Sequence, residues 1–295
     1  MNRKIDYKIN EKDTGKTVEG FLKEHGYTHQ VLVRLKQTDH GILRNGIWAY
    51  TNERLCKDDL ITVQIVENEC SDNIAPVNLP LDIAYEDDDI IVINKPFDMP
   101  AHPSAGNHDN TLANALMYYY DSQNKPFVYR CINRLDRDTT GLTIVAKHAL
   151  AGGILGNAVA KRAIHRTYYA VCSGCTPACM RISAPIARKD ASTIERCVDF
   201  KRGENAVTDF IRIKYNPDNN LSLVKLRLLT GRTHQIRVHM KYIGFPLIGD
   251  FLYNPDYTYI SRQALHSGRL VFTHPVTGQK MNLISDIPSD MKSLF

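Results

Sequence analysis

No stretch of this 295-residue chain approaches the roughly 18–20 consecutive apolar residues of a membrane span. Its first residues, MNRKIDYKINEKD, hold no apolar core of an export signal. The expected location is therefore the cytoplasm, with no membrane partner. The seven cysteines are odd in number and irregularly spaced, and without an export signal they read as reduced thiols rather than a disulfide framework. Cys172, Cys175 and Cys179 crowd together in CSGCTPAC, but no CxxC partner offers zinc a fourth ligand, so no metal is expected. Neither an HExxH helix nor a phosphate-cradling GxxxxGK[ST] loop occurs. Internal repeats and low-complexity tracts are absent as well. Tryptophan occurs once, Trp48, and is read as a residue packing between domains.

What is present suits a folded globular protein. Hydrophobic residues make up 43% and charged residues 23%, enough for a sizeable core. The net charge of +5 is informative mainly through its placement. Lys161, Arg162, His165 and Arg166 cluster in KRAIHR, and Arg232, His234, Arg237, His239 and Lys241 cluster in GRTHQIRVHMK, whereas acids gather in YEDDD at 85–89. Segregated basic clusters fit a phosphate backbone better than a scattered excess would.

Residues 1–72 read as a small separate unit. TVEGFLKEHGY and HQVLVRLKQTD carry helical spacing, while GILRNGIWAYTNE and LCKDDLITVQIVE are strand-like, the first turning at Asn45-Gly46. A polar, proline-containing stretch ends in a linker over 73–79, and the larger unit is expected over 80–295. There, LDIAYEDDDIIVINKP gives two strands, TLANALMYYY a helix capped by Asn110, and HALAGGILGNAVAKR a glycine-weakened helix. RTYYAVCSG is a strand, AVTDFIRIKY and LSLVKLRLL a hairpin. THQIRVHMKYIG is a helix with Ile236, Met240 and Ile243 toward a core and Gly244 ending it. His234, Arg237 and Lys241 would form a stripe on its other side, facing an anionic ligand. The fold class is mixed α+β, with strands mostly near their sequence neighbours.

The segment NRLDRDTTGL, Asn133 to Leu142, places Asp136 two residues after Arg134, on a short loop ahead of a strand-like run. Two further segments, around Tyr168 and around Arg237, bring polar groups that can meet it in one cleft. Glycosidases of the common type need two carboxyl groups, and serine or cysteine hydrolases need a base beside the nucleophile. One aspartate among arginines instead suits a nucleophile held ionised, because a guanidinium within about 4–6 Å favours the charged form. Asp250 is read as shaping a turn or contacting the site, and His102 and His266 as structural histidines near its loops.

NRLDRDTTGL resembles the HRLDxxTSGL signature of the RluA family of pseudouridine synthases. RTYYAVCSG, LTGRTHQIRVHMKYIGFPLIGDFLY, INKPFDMPAHP and ALHSGRLVFTHPVTG are similar to four more segments of that family, in its order along residues 80–295. The resemblance implies the pseudouridine synthase fold, of mixed and mostly antiparallel sheets flanked by helices. It also implies cofactor-free isomerisation of uridine to pseudouridine in RNA, ribosomal large-subunit RNA first and transfer RNA second. By position, Asp136 would be the nucleophile, attacking either the anomeric carbon or uracil carbon 6. Tyr168 would pack on the flipped base and assist proton removal from carbon 5, and Arg237 would pair with Asp136. Arg134 would help turn the base out of its stack or fill its vacated place, and Leu265 would line the pocket. Arg232, His234, Gln235, Lys95, Lys161 and Arg166 are the further substrate contacts expected. Asn133 departs from the family histidine, with a supporting loop bond expected in its place. Residues 1–72 are similar, in order of elements, to the small RNA-binding domain of the ribosomal small-subunit protein four type, although the second helix carries only Arg34 and Lys36 as basic groups. The other class that fits is a non-enzymatic RNA-binding or chaperone protein on the same fold. A monomer is the default.

Overall fold

The computed structural model describes residues 2–104, 106–190 and 194–295. Its strands are β1 (Asn2–Lys8), β2 (Ile42–Arg44), β3 (Ile47–Trp48), β4 (Leu60–Val66), β5 (Ile83–Glu86), β6 (Ile90–Lys95), β7 (Thr140–Ala146), β8 (His165–Ser173), β9 (Cys179–Ser183), β10 (Ile186–Arg188), β11 (Arg196–Val198), β12 (Val207–Asn216), β13 (Leu221–Leu228), β14 (Leu265–Thr273) and β15 (Lys280–Ile284). Its helices are α1 (Val18–Glu24), α2 (His29–Gln37), α3 (Leu112–Asp121), α4 (Ala149–Ala160), α5 (Gln235–Tyr242) and α6 (Ser289–Lys292). None of these helices is long and apolar enough to cross a membrane.

The amino-terminal residues form a four-stranded sheet in the order β1-β4-β2-β3, with α1 and α2 against it. Asn45 and Gly46 adopt φ of 52° and 82°, the paired positive values that a two-residue hairpin between right-twisted strands requires. Trp48 is exposed on β3, with the ring of His40 set edgewise against it, so it is not the buried packing residue expected from the sequence. The β3 strand lies at the sheet's rim, and both its residues are exposed. This sheet rests on α4, whose Leu150 belongs to the same apolar cluster as Phe21, Leu22 and Ile61. Glu67 Oε1 accepts from the Ala149 amide at 2.6 Å and Oε2 pairs with Arg130 at 2.8 Å, so a carboxylate sits at the positive end of α4. The acidic turn before β6 has a partner too: Asp89 accepts from Arg3 Nε at 2.7 Å and stands 2.9 Å from His148 Nε2.

The large sheet runs β5-β6-β7-β14-β8-β13-β12-β9, with β15 beside β14. Every pair is antiparallel except β7 with β14, so the α+β expectation holds. The inner strands read as apolar runs because both faces are covered. Alternation divides their side chains between the two faces. Ile91, Ile93 and Val145 pack under α3, and Ile90, Val92, Leu142 and Ile144 under α4. On β8 the same rule sends Tyr168, Ala170 and Cys172 toward α5, and Val171 toward α6. Thr111, not Asn110, caps α3, in a reciprocal capping box with Asn114. Thr111 immediately precedes the first helical residue, where its hydroxyl reaches the Asn114 amide.

Candidate active site

The loop that carries Asp136 is tied down on three sides. Asn133 is buried; its Nδ2 donates to Leu142 O at 3.2 Å and its Oδ1 accepts from Ile144 N at 2.8 Å. Asparagine therefore does make the supporting bonds expected of the position. Lys95 is also buried, and its Nζ donates to the carbonyls of Pro96 at 2.7 Å and Arg137 at 2.8 Å. Burial pushes its pKa down to about 7. It braces the loop from behind and is not available to a phosphate, which corrects its expected role as a substrate contact. Gln263 Nε2 donates to Thr139 Oγ1 at 2.5 Å. Gly141 then lets β7 pass β14: with φ of 105°, a Cβ there would stand 2.3 Å from Ser267 O.

Arg237 approaches from α5 and joins two carboxylates. Its Nη1 donates to Asp136 Oδ2 at 2.9 Å, while Nε and Nη2 donate to the two oxygens of Asp250 at 2.7 Å each. The side chains of Arg237 and Asp250 are 1% and 0% exposed, and that of Asp136 is 30% exposed. Burial opposes the guanidinium charge, but the bonds to Asp250 and the nearness of Asp136 outweigh it and push its pKa up. Asp250 Oδ1 further accepts from the amides of Leu252 and Tyr253, both at 3.1 Å. It thus shapes a turn and holds the site's arginine, and leaves Asp136 as the carboxylate that meets solvent.

Asp136 stands in a cleft of about 1350 Å³, above the roughly 300–1,000 Å³ of a small-molecule pocket and open enough for a polymer. Arg134, Arg166, Arg232, Tyr168, His234 and Leu265 line it as expected. Arg134 is exposed at the surface and makes no ion pair among the described residues. Gly231 leaves room for Arg166: a Cβ there would be 3.2 Å from Nη2. Arg232 pairs with Glu204. Tyr168 is buried beside Leu135 and Leu265, and burial raises the pKa of its phenol. His234 opens α5 in the left-handed region, φ 56°, an uncommon state for a side-chain-bearing residue. It lies 3.9 Å from Asp136 Oδ2 and 3.0 Å from the Tyr253 hydroxyl, and burial lowers its pKa toward the neutral imidazole.

Three expected contacts are disposed differently. Lys95 has been described. Gln235, although at the cleft wall, spends its amide internally: Oε1 accepts from Thr230 Oγ1 at 2.8 Å and Arg232 N at 3.0 Å, and Nε2 donates to Val207 O and Thr208 Oγ1, both at 3.0 Å. Lys161, the residue closing α4, is exposed outside the lining, where its neighbour Arg162 takes the place. Nor does α5 present the expected cationic stripe, since Arg237 points inward and Lys241 Nζ lies 5.5 Å over the Tyr253 ring. Arg196 and Arg227 also line the cleft; neither lies in a basic run, so only the fold brings them there. His102 lines it too, whereas His266 is buried between Thr140 and Ser285. Cys172 is buried in β8, and Cys175 and Cys179 are exposed.

The model of the family described as "RNA pseudouridylate synthase" matches residues 89–242. The chain is 38% identical over 281 residues to the uncharacterized RNA pseudouridine synthase YjbO of Bacillus subtilis strain 168, covering 95% of this chain and 98% of that one. It is 41% identical over 245 residues to the ribosomal large subunit pseudouridine synthase D of Haemophilus influenzae, covering 78% and 75%. Among solved structures, the human RNA pseudouridylate synthase domain containing 1 superposes with a TM-score of 0.59 at 26% identity, over 70% of this chain and 83% of that one. The matched stretch holds both Asp136 and Arg237, the two ends of the ion pair described above. The likeness thus extends from whole-chain identity to the fold, and the chain belongs to the RluA-type family of RNA pseudouridine synthases.

Proposed function

We propose that this enzyme isomerises specific uridines in structured ribosomal large-subunit RNA, with Asp136 as the nucleophile acting on a nucleotide turned out of its stack. One observation carries this reading: the one carboxylate among the cleft's described lining residues is ion-paired to a buried arginine at 2.9 Å and shares the cleft with Arg134, Arg166, Arg196, Arg227 and Arg232. The relatives acting on the ribosomal large subunit favour that RNA over transfer RNA. Extruding the base costs a few kcal/mol, and stacking it on Tyr168 returns roughly 1–3 kcal/mol. Arg237, bonded to Asp136 at 2.9 Å, keeps it aimed. Arg134, exposed and without an ion pair among the described residues, would occupy the space left by the base, while Arg166 and Arg232 receive backbone phosphates. The atoms of substrate and product are the same: the bond from the sugar to uracil N1 is exchanged for one to carbon 5, whose proton leaves as N1 gains one. Residues 1–72 would act as the accessory RNA-binding unit. Their two helices and four-stranded sheet support that reading.

The test is release of tritium from carbon 5 of labelled uridine in ribosomal RNA. Asp136→Asn should abolish release and leave RNA affinity within a few fold. Near-normal turnover in that variant would refute the nucleophile, and release of free uracil by the wild type would point to base removal instead.

A further inference from the structure

We infer that Phe251, with Arg137 over its ring, forms a shelf at the rim of the cleft on which a base flanking the target nucleotide stacks. This rests on the reading of the cleft as an RNA site and not on the identity of the nucleophile.

Phe251 is 42% exposed. Its place is fixed nevertheless. The turn is closed by Asn254 N donating to Asp250 O at 2.8 Å, and the Asp250 carboxylate accepts from the amides of Leu252 and Tyr253. The residue that clamps Arg237 therefore also sets the ring. Two guanidinium groups face that ring: Arg237 at 5.4 Å and Arg137 at 5.7 Å from its centroid. Arg137 lines the cleft, one residue from Asp136, so the ring continues the cleft rather than forming a separate patch. Arg137 itself is held by Asp138 at 3.1 Å and Asp98 at 3.7 Å. The neighbouring Phe97 and Tyr257 are 51% and 50% exposed, and the latter lies near enough to act on the Arg137 charge.

Exposed aromatic rings beside guanidinium groups, next to a cationic groove, are the elements by which proteins hold unpaired bases: the ring takes the base face and the cation its phosphate. The shelf adjoins a cleft whose lining, Asp136 and the histidines apart, carries its charge on arginines, which suits an RNA strand and not an apolar protein partner. RNA leaving the cleft beside the extruded nucleotide meets both.

The test compares binding of ten-residue oligouridylate with binding of the same ribose-phosphate chain lacking bases, to wild type, Phe251→Ala and Phe251→Trp. Phe251→Ala should weaken oligouridylate about fivefold to 150-fold, the span of a single base–aromatic stack, and leave the baseless chain within twofold. Phe251→Trp should retain wild-type affinity, which also guards against a folding artefact. Equal losses on both probes, or an oligouridylate affinity within twofold of wild type in Phe251→Ala, would overturn the shelf. Because no turnover is read, the result is separate from the fate of Asp136→Asn.

Discussion

Replacing Asp250 with asparagine should separate the two carboxylates that share Arg237 by what each does. Asp250 is wholly buried, takes two guanidinium bonds at 2.7 Å and accepts two backbone amides. Asparagine can accept at only one of its two terminal atoms, and its amino group would face a donor. Removing one partner of a buried pair costs about 3–5 kcal/mol. The acceptor that asparagine keeps argues for the lower end, about 3 kcal/mol. For a chain of this size each kcal/mol moves Tm by roughly 2–4 °C, so Asp250→Asn should melt about 6–12 °C below wild type. Asp136 makes a single bond to Arg237 and is partly exposed. Asp136→Asn leaves the guanidinium its better partner and should cost no more than about 1 kcal/mol. Thermal melts of the three proteins at pH 7, paired with tritium release measured well below the lowest Tm, check both halves. Asp136→Asn should be inactive with a near-native Tm. Asp250→Asn should lose stability, and turnover with it, because Arg237 is no longer aimed. A Tm for Asp250→Asn within 2 °C of wild type, or a larger drop for Asp136→Asn, would refute the division of labour.

Two further outcomes follow from the same strands. Gly141→Ala sets a Cβ against Ser267 backbone at a φ of 105°; it should cost more than about 4 kcal/mol and yield little soluble protein, and a normal circular dichroism melt would contradict this. His266 is buried, with a pKa lowered by burial to about 4. The Ser285 carbonyl can only accept, so Nε2 carries the proton and Nδ1 accepts from the Thr140 hydroxyl. The unfolded imidazole titrates near 6.5, so the unfolded chain takes up the proton first. The stability His266 contributes is complete above pH 6.5 and falls as the pH drops toward 4, by about 3 kcal/mol in all. Urea unfolding of wild type and His266→Gln across that window should converge on acidification; parallel curves would count against the burial of a neutral ring.

Much of the fold is legible because its strands and helices keep their own periods. The Asn45-Gly46 turn, the β12–β13 hairpin and the glycine ending α5 all stand where residue type demands them. What escapes is short or at an edge. The first strand, NRKIDYK, buries only Ile5, so it offers no apolar alternation to read; its pairing with β4 makes it a strand. The strands between 179 and 198 are three to five residues long, below the length at which a pattern exists.

The site divides differently. The pairing of Asp136 with Arg237 spans 101 residues and is legible only through resemblance, since nothing local to either segment demands the other. Lys161 is simply exposed outside the cleft, but the other misplaced contacts, Lys95 and Gln235, share one physical cause, which α5 makes plain. Six consecutive residues there, Gln235 to Met240, are buried, so the helix has no solvent face over its first turns. A buried polar group must find a partner, and each does: Gln235 in Thr230 and Thr208, Arg237 in Asp250 and Asp136, His239 in Thr208 and the Ala184 carbonyl. Counting charges in GRTHQIRVHMK treats every basic residue as meeting solvent, and so overstates the surface offered to phosphate. The fold takes Arg237 and His239 inward and lays Lys241 on an aromatic ring, and the cleft's cationic lining is instead completed by Arg162, Arg196 and Arg227 from other elements. Phosphate contacts should therefore be sought on those strands and loops, and α5 understood as the buried brace that aims one guanidinium at one carboxylate.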